Sequence, residues 1–316
     1  MKKFLEDLKK ELNNRHLQEQ DINEILQDHE EMYQNAMLEG LSEEEILKRF
    51  GNPKDLAEQL ASFSSKESEP YTLPNGYKLW NSYSSFDKNM SFKVSLVDED
   101  LKIVANDSDE LKIYYQGNED ISKYSLNCDN HSFSLEAPKK HGFLFTKSHL
   151  EDMSFIIELP RTLLMKSINL TVVSSDIEIQ GIKTMTSFIT TTSGDVAINN
   201  CNLGDSKWNT VSGDIAITDI RAEQINSSQV SGDLSIKNSF VSKYLKMNTV
   251  SGDIELNDVV CQECSFQTVN GDLNATEFYP EKISYKSVSG DMNIHNKNKN
   301  PILITKNSLS GDINIH

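Results

Sequence analysis

Thr210-Val-Ser-Gly-Asp-Ile-Ala-Ile217 decides the fold, because close copies of it recur down the second half of the chain. Two precede it, Val172-Val-Ser-Ser-Asp-Ile-Glu-Ile179 and Thr191-Thr-Ser-Gly-Asp-Val-Ala-Ile198. Five follow, starting at Gln229, Thr249, Thr268, Ser287 and Ser308. The marker aspartates Asp176, Asp195, Asp214, Asp233, Asp253, Asp272, Asp291 and Asp312 are separated by 19, 19, 19, 20, 19, 19 and 21 residues. That period is too short for a propeller blade, and apolar residues spaced by two exclude helical repeats. Each copy reads as strand, corner, strand, so the copies must stack as coils. Equivalent strands are then parallel, and parallel crossovers are right-handed in about 98% of cases. The predicted fold is mainly β: a right-handed parallel β-helix with rungs of about 19 residues and a small N-terminal α-helical domain.

Strict alternation places Val211, Ile215 and Ile217 on one face of the copy and Thr210, Ser212 and Ala216 on the other. The corner pairs are Gly194-Asp195, Gly213-Asp214, Gly232-Asp233, Gly252-Asp253, Gly271-Asp272, Gly290-Asp291 and Gly311-Asp312. Glycine lets the chain turn through φ > 0, while the adjacent Ser and Asp side chains bond nearby backbone N–H groups. Stacking sets the carboxylates about 4.8 Å apart, where a pair repels by about 0.9 kcal/mol in a water-like medium. Backbone donors must offset that repulsion, so the corner pairs read as a structural ladder. A row of calcium sites needs more than the one carboxylate that each rung supplies.

The 316 residues carry a net charge of −17, and 37% are hydrophobic. Such acidity repels nucleic acid and anionic lipid over most of the protein and keeps it in solution, while leaving a basic partner open. The opening MKKFLEDLKKEL has no uninterrupted apolar core of a secretory signal. No stretch approaches the roughly 20 apolar residues of a membrane span. The default expectation is a cytoplasmic protein, with envelope or surface placement by a non-classical route as the alternative. Cys128, Cys201, Cys261 and Cys264 are too scattered for a disulfide framework. Cys261-Gln-Glu-Cys264 has CxxC spacing without a second pair or a nearby His, so it reads as two incidental loop thiols. No metal and no cofactor is expected.

Four segments organise the chain. Residues 1–64 are helical: Phe4, Leu5, Leu8 and Leu12 form one apolar stripe, and Ile22, Ile25, Leu26, His29, Met32, Tyr33 and Met37 a second. Gly40 ends the second stripe, Ser42 to Glu45 is a capping box, Gly51 closes the third helix, and Asn52-Pro53 opens a fourth. Residues 65–79 are a Ser-rich linker. Residues 80–160 hold strands without a clear period, such as Phe92–Leu96, Leu111–Tyr115 and Phe155–Leu159. Residues 161–316 are the repeats.

Asp28-His-Glu-Glu31, Gly40-Leu-Ser-Glu-Glu-Glu-Ile46 and Phe50-Gly-Asn-Pro53 resemble the HAAS domain, a helical module of Gram-positive bacteria. That resemblance implies a signalling or regulatory role. The register-keeping Ser-Gly-Asp copies resemble a bacterial putative-adhesin family of β-helical repeats over roughly residues 90–316. This second resemblance implies envelope association, stress response or adhesion, with no established reaction.

Beyond residue 50 the arginines are Arg161 and Arg221 only, and no His recurs at a fixed rung position, so a uronate or phosphate subsite has no basis. The expected function is that of a non-enzymatic interaction or scaffold protein linked to envelope stress or regulation. It would meet a protein partner through the helical head or the solenoid surface. A surface adhesin and a carbohydrate-active β-helix enzyme are the alternatives; Trp80, Trp208, Tyr279 and Tyr285 would supply sugar stacking, or else pack in the core. The final copy stops at His316, which leaves a parallel edge that pairs end-on with another copy unless Asn296 to Asn300 shields it.

Overall fold

The computed structural model describes residues 1–15, 17, 19–38, 42–64, 71–87, 89–138, 153–297 and 302–316. The chain forms two compact units, Met1–Glu67 and Ser68–His316.

The first unit contains helices α1 (Lys2–Asn14), α2 (Glu19–Leu38), α3 (Glu43–Phe50) and α4 (Pro53–Ser64). Phe4, Leu8 and Leu12 bury the stripe of α1 against Ile22, Ile25 and Ala57. His29 lies in this core, its Nδ1 2.7 Å from the Ile25 carbonyl and its ring 5.5 Å from that of Phe50. Met37 is exposed, so the second apolar stripe stops being buried before it. Gly51 turns at φ 74°, and the Lys54 N–H donates to the Asn52 side chain at 2.9 Å, which caps α4. Gly40 and the side chains of Asp28, Glu31 and Glu45 lie outside the described residues.

The second unit is a β-solenoid whose repeats wind about eight turns. It opens with β1 (Lys78–Tyr83), β2 (Ser91–Leu96), β3 (Asp100–Asn106), β4 (Leu111–Gln116), β5 (Ser125–Cys128), β6 (Ser132–Glu136), β7 (Ser154–Pro160) and β8 (Leu164–Met165). The repeats then supply β9 (Ser167–Ser174), β10 (Ile177–Gln180), β11 (Lys183–Ser193), β12 (Val196–Asn199), β13 (Asn202–Ser212), β14 (Ile215–Thr218) and β15 (Arg221–Ser231). They end in β16 (Leu234–Ser251), β17 (Ile254–Asn270), β18 (Leu273–Phe278), β19 (Lys282–Ser289), β20 (Met292–His295), β21 (Leu303–Ser310) and β22 (Ile313–Ile315). Equivalent strands pair in parallel, Ile177 with Val196, Val196 with Ile215, and Ile215 with Leu234.

The described strands between residues 80 and 160 are more regular than their sequence predicts. Strand β2 lies between β6 and β9 and is parallel to both; β3 lies likewise between β7 and β10. These strands share the solenoid register, but their order along the axis is not their order along the chain, which hides the period. Antiparallel pairings of β5 with β6, β4 with β7 and β1 with β4 finish the N-terminal end, where a parallel edge would otherwise be unpaired.

The core runs down the solenoid axis in columns. Ile177, Val196, Ile215, Leu234, Ile254, Leu273 and Met292 form one, and Ile179, Ile198, Ile217, Ile236, Leu256, Ala275 and Ile294 the next, all buried. Another holds Ile189, Trp208, Ser227, Met247, Phe266 and Tyr285. There the bulk of Trp208 is matched by Ser227 one rung on, the alternation of large and small that close packing requires. Trp208 and Tyr285 are therefore core residues, which removes them from any sugar-stacking surface. The Trp208 Nε1–H donates to the Ser187 hydroxyl at 3.2 Å. Trp80 is partly buried, its ring 6.1 Å from that of Phe155.

Candidate interaction surface

Each rung has three corners. At the first, Gly213 takes φ 125° and Gly232 φ 108°. A Cβ on Gly232 would lie 2.2 Å from the Gly213 carbonyl oxygen, so stacking of rungs as well as the turn requires glycine. The following aspartates form a continuous ladder. The N–H groups of Asp195, Asp214, Asp233, Asp253, Asp272, Asp291 and Asp312 each donate to Oδ1 of the preceding marker aspartate, at 2.8–2.9 Å. Asp100 of β3 starts the series, accepting the Asp176 N–H at 3.2 Å. The serine before the glycine behaves differently from the sequence expectation: the Ser231 hydroxyl donates to the Val211 carbonyl at 3.3 Å.

The second corner was not anticipated. Gly181, Asn200, Asp219, Asn238, Asp258 and Glu277 adopt φ between 48° and 74°. Each falls five residues after its marker aspartate, and Asn and Asp tolerate this left-handed conformation better than other side chains. That recurrence of Gly, Asn and Asp was the available signal. The third corner bends the long strand: in β11, Thr184 and Ser187 are both buried while Met185 between them is exposed. A Cβ on Gly204 would lie 2.0 Å from the Met185 carbonyl, so this bend too needs one glycine.

The first corner also overturns the predicted facing of the motif. Thr210 is buried and Val211 is 49% exposed, while Ile215 and Ile217 are buried. From Thr210 to Ile215, both inward, is an odd number of steps, because the Ser-Gly-Asp corner takes up residues that do not alternate. The residue before Ser-Gly-Asp therefore points outward in every copy. Val173, Val211, Val230, Val250, Val269 and Val288 are 39–49% exposed, Leu309 is more so, and Thr192 completes the column. Parallel register aligns them into one apolar ridge along the axis.

Two columns flank the ridge. On one side, past a largely exposed column that includes Ser174, Ser193 and Ser212, stand the aspartates, three residues on and around the corner. On the other, two residues earlier, are Thr171, Thr190, Asn209, Ser228, Asn248, Gln267, Lys286 and Asn307, a polar and almost uncharged column. Elsewhere on the solenoid acidic groups are matched across rungs, Lys102 with Glu178 at 2.8 Å and Lys243 with Glu223 at 2.7 Å. The marker aspartates from Asp176 to Asp312 form no ion pair with any Lys or Arg among the described residues. The ridge is thus bordered by a line of unneutralised carboxylates.

The other candidates do not converge. Cys261 and Cys264 lie within strand β17, astride the third corner, with both side chains buried; they are core residues and not loop thiols. Burial, then the contact with Cys261, holds the Cys264 thiol well above its usual range. No group of three or more metal-binding side chains occurs among the described residues. At the capped end, buried Glu99 accepts the Tyr124 hydroxyl at 2.7 Å and the Val97 N–H at 2.7 Å. A polar recess of about 540 Å³ nearby is lined by Lys78, Asp100, Gln116, Asn118 and Ser154. Of the segment Asn296 to Asn300, the described Asn296 side chain bonds both the N–H and the carbonyl of Phe278, at 2.8 and 2.7 Å. Residues 298–300 lie outside the described residues. No described helix is long and apolar enough to cross a membrane.

Comparison with known proteins fits this architecture. The family model described as Toastrack DUF4097 matches residues 88–316, and the HAAS model matches residues 3–59. Among solved structures, a putative lipid binding protein from Parabacteroides distasonis aligns over 77% of this chain and 98% of its own, with 11% identity and a TM-score of 0.50. A putative adhesin from Bacteroides fragilis aligns over 77% and 98%, with 15% identity and a TM-score of 0.43. One from Parabacteroides distasonis aligns over 76% and 97%, with 15% identity and a TM-score of 0.41. At these identities the likeness is one of fold. No curated protein matches the chain.

Proposed function

This chain belongs to the Toastrack DUF4097 family, and on that premise we propose that it is a non-enzymatic protein-binding platform acting in bacterial envelope regulation. One observation carries the reading: the solenoid turns a valine outward on nearly every rung, at a position that also accepts a polar residue. Thr192 occupies the same column, which supports that point. Exposed, aligned apolar side chains on a rigid scaffold are the mark of a docking surface. The carboxylates are employed structurally, each marker aspartate holding the N–H of the next rung, and the reading assigns them no part in acid–base chemistry. The HAAS-type unit supplies a second contact and the regulatory link.

The test is site-specific photo-crosslinking in the producing cells, with the photoreactive residue at Val230 or, as control, at Lys243. A discrete crosslinked protein from Val230 and none from Lys243 is the expected result. Equal crosslinking from both positions would remove the ridge as the docking face.

A further inference from the structure

We infer that the valine ridge and the aspartate ladder together dock a basic amphipathic helix of a protein partner. The inference rests on the platform reading and adds the chemistry of what binds. Three features of the surface select that partner. The first is charge: the marker carboxylates beside the ridge are exposed or half-buried from Asp176 to Asp312 and have no basic partner among the described residues, in a chain of net charge −17. A second copy of the same face brings a second run of carboxylates with Lys286 as the one basic residue in its flanking polar column, so self-association through the ridge gains little charge complementarity.

The second feature is pitch. Outward side chains of the ridge recur at the strand spacing of about 4.8 Å, and a helix lying along the axis repeats every 5.4 Å or so. The mismatch of about 0.6 Å per turn leaves apolar side chains of three turns in contact with three or four valines. An extended strand repeats its apolar face only every 6.6 Å or so, and falls out of step within two rungs.

The third is asymmetry. Carboxylates border the ridge on one side only; the opposite column is Thr, Asn, Ser and Gln with the single Lys286. The matching helix therefore has an apolar stripe at i, i+3, i+4 and i+7, with Lys or Arg along one border and neutral polar residues along the other.

The full chain is titrated with a labelled synthetic Leu/Lys amphipathic helix carrying its lysines on one border, and with the Leu/Glu counterpart, by fluorescence anisotropy at low and high salt. Saturable binding of the Leu/Lys peptide alone, weakened by salt, is expected. The triple variant Val211→Thr, Val230→Thr, Val250→Thr keeps β-branched residues that the column already accepts at Thr192, so its unfolding temperature serves as the folding control. It should weaken binding by about tenfold or more, and Thr192→Val should strengthen it. Binding that the triple variant leaves unchanged would show attraction to acidic surface in general, and would overturn the inference. Failure of the Leu/Lys peptide to bind, with Val230 still crosslinking to a protein, would overturn the helix and leave the platform standing. Failure of both would remove the two together.

Discussion

The Asp214 carboxylate accepts the backbone N–H of Asp233 at 2.8 Å, one full rung along the chain. A charged acceptor therefore stitches each corner to the next, perpendicular to the strands, which converts a column of like charges into a line of charge-assisted hydrogen bonds. Asp214→Ala removes the acceptor and should cost about 1–3 kcal/mol, whereas Asp214→Asn keeps an oxygen there and should cost less. Denaturant unfolding of the isolated variants measures both. Equal losses would mean that a neutral acceptor oxygen restores nothing at this corner.

Gly232→Val should be among the most damaging single changes. The residue sits at φ 108°, and its new Cβ would meet the Gly213 carbonyl oxygen 2.2 Å away. Backbone strain with no room to relax places the cost at about 3 kcal/mol or more. A thermal shift no larger than that of Val230→Thr would contradict the corner geometry.

Alkaline pH should loosen the capped end. Burial, helped by the nearby Tyr77, Glu158 and Glu178, pushes the Tyr71 phenol up to about 12 from 10.0. Burial and the hydrogen bond to Glu99 raise Tyr124 as well. A folded pKa above the unfolded one means stabilisation that is complete below pH 10 or so and is lost as pH rises through about 12. Phenolate absorbance during a pH titration should show these tyrosines ionising after the exposed ones. Tyr124→Phe should remove part of the alkaline loss and cost about 1 kcal/mol at neutral pH, through the donor that Glu99 loses.

Thiol reagents should separate the cysteines. Cys201, Cys261 and Cys264 are buried, and burial pushes the Cys201 thiol up to about 12. Only Cys128, which is half-buried, should react in the native protein, and all four after unfolding. Rapid native labelling of Cys261 or Cys264 would indicate that the third corner opens.

The repeat was legible because its marker is rigid: Gly-Asp at fixed spacing reports a backbone requirement that few residues satisfy. Facing was harder. Alternation is a rule for one strand, and Thr210 to Ile215 spans two, so the parity across Ser-Gly-Asp depends on how many residues the corner consumes. The same limit hid the second corner, where Asn200, Asp219 and Asn238 meet a conformational demand shared by Asp258 and, less typically, Glu277. Residues 91–160 defeated period counting because their strands are ordered in space by β6, β2, β9 and β7, β3, β10, an arrangement with no linear signature. The candidate surface is hidden for the first of these reasons, since alternation puts Val211 on the same face as Ile215 and Ile217.

The interleaving of these strands sets where the protein can change in length. From Lys183 on a turn can be gained or lost by duplicating or deleting about 19 residues, because each strand there pairs only with those one rung before and after it in the chain. Strands β2 and β3 have no such freedom, being held between strands that the chain supplies later, β6 and β7 on one side and β9 and β10 on the other. During synthesis they must wait for both neighbours. The capped end is in this sense a fixed foundation, and ridge length can be adjusted only in the repeats beyond it.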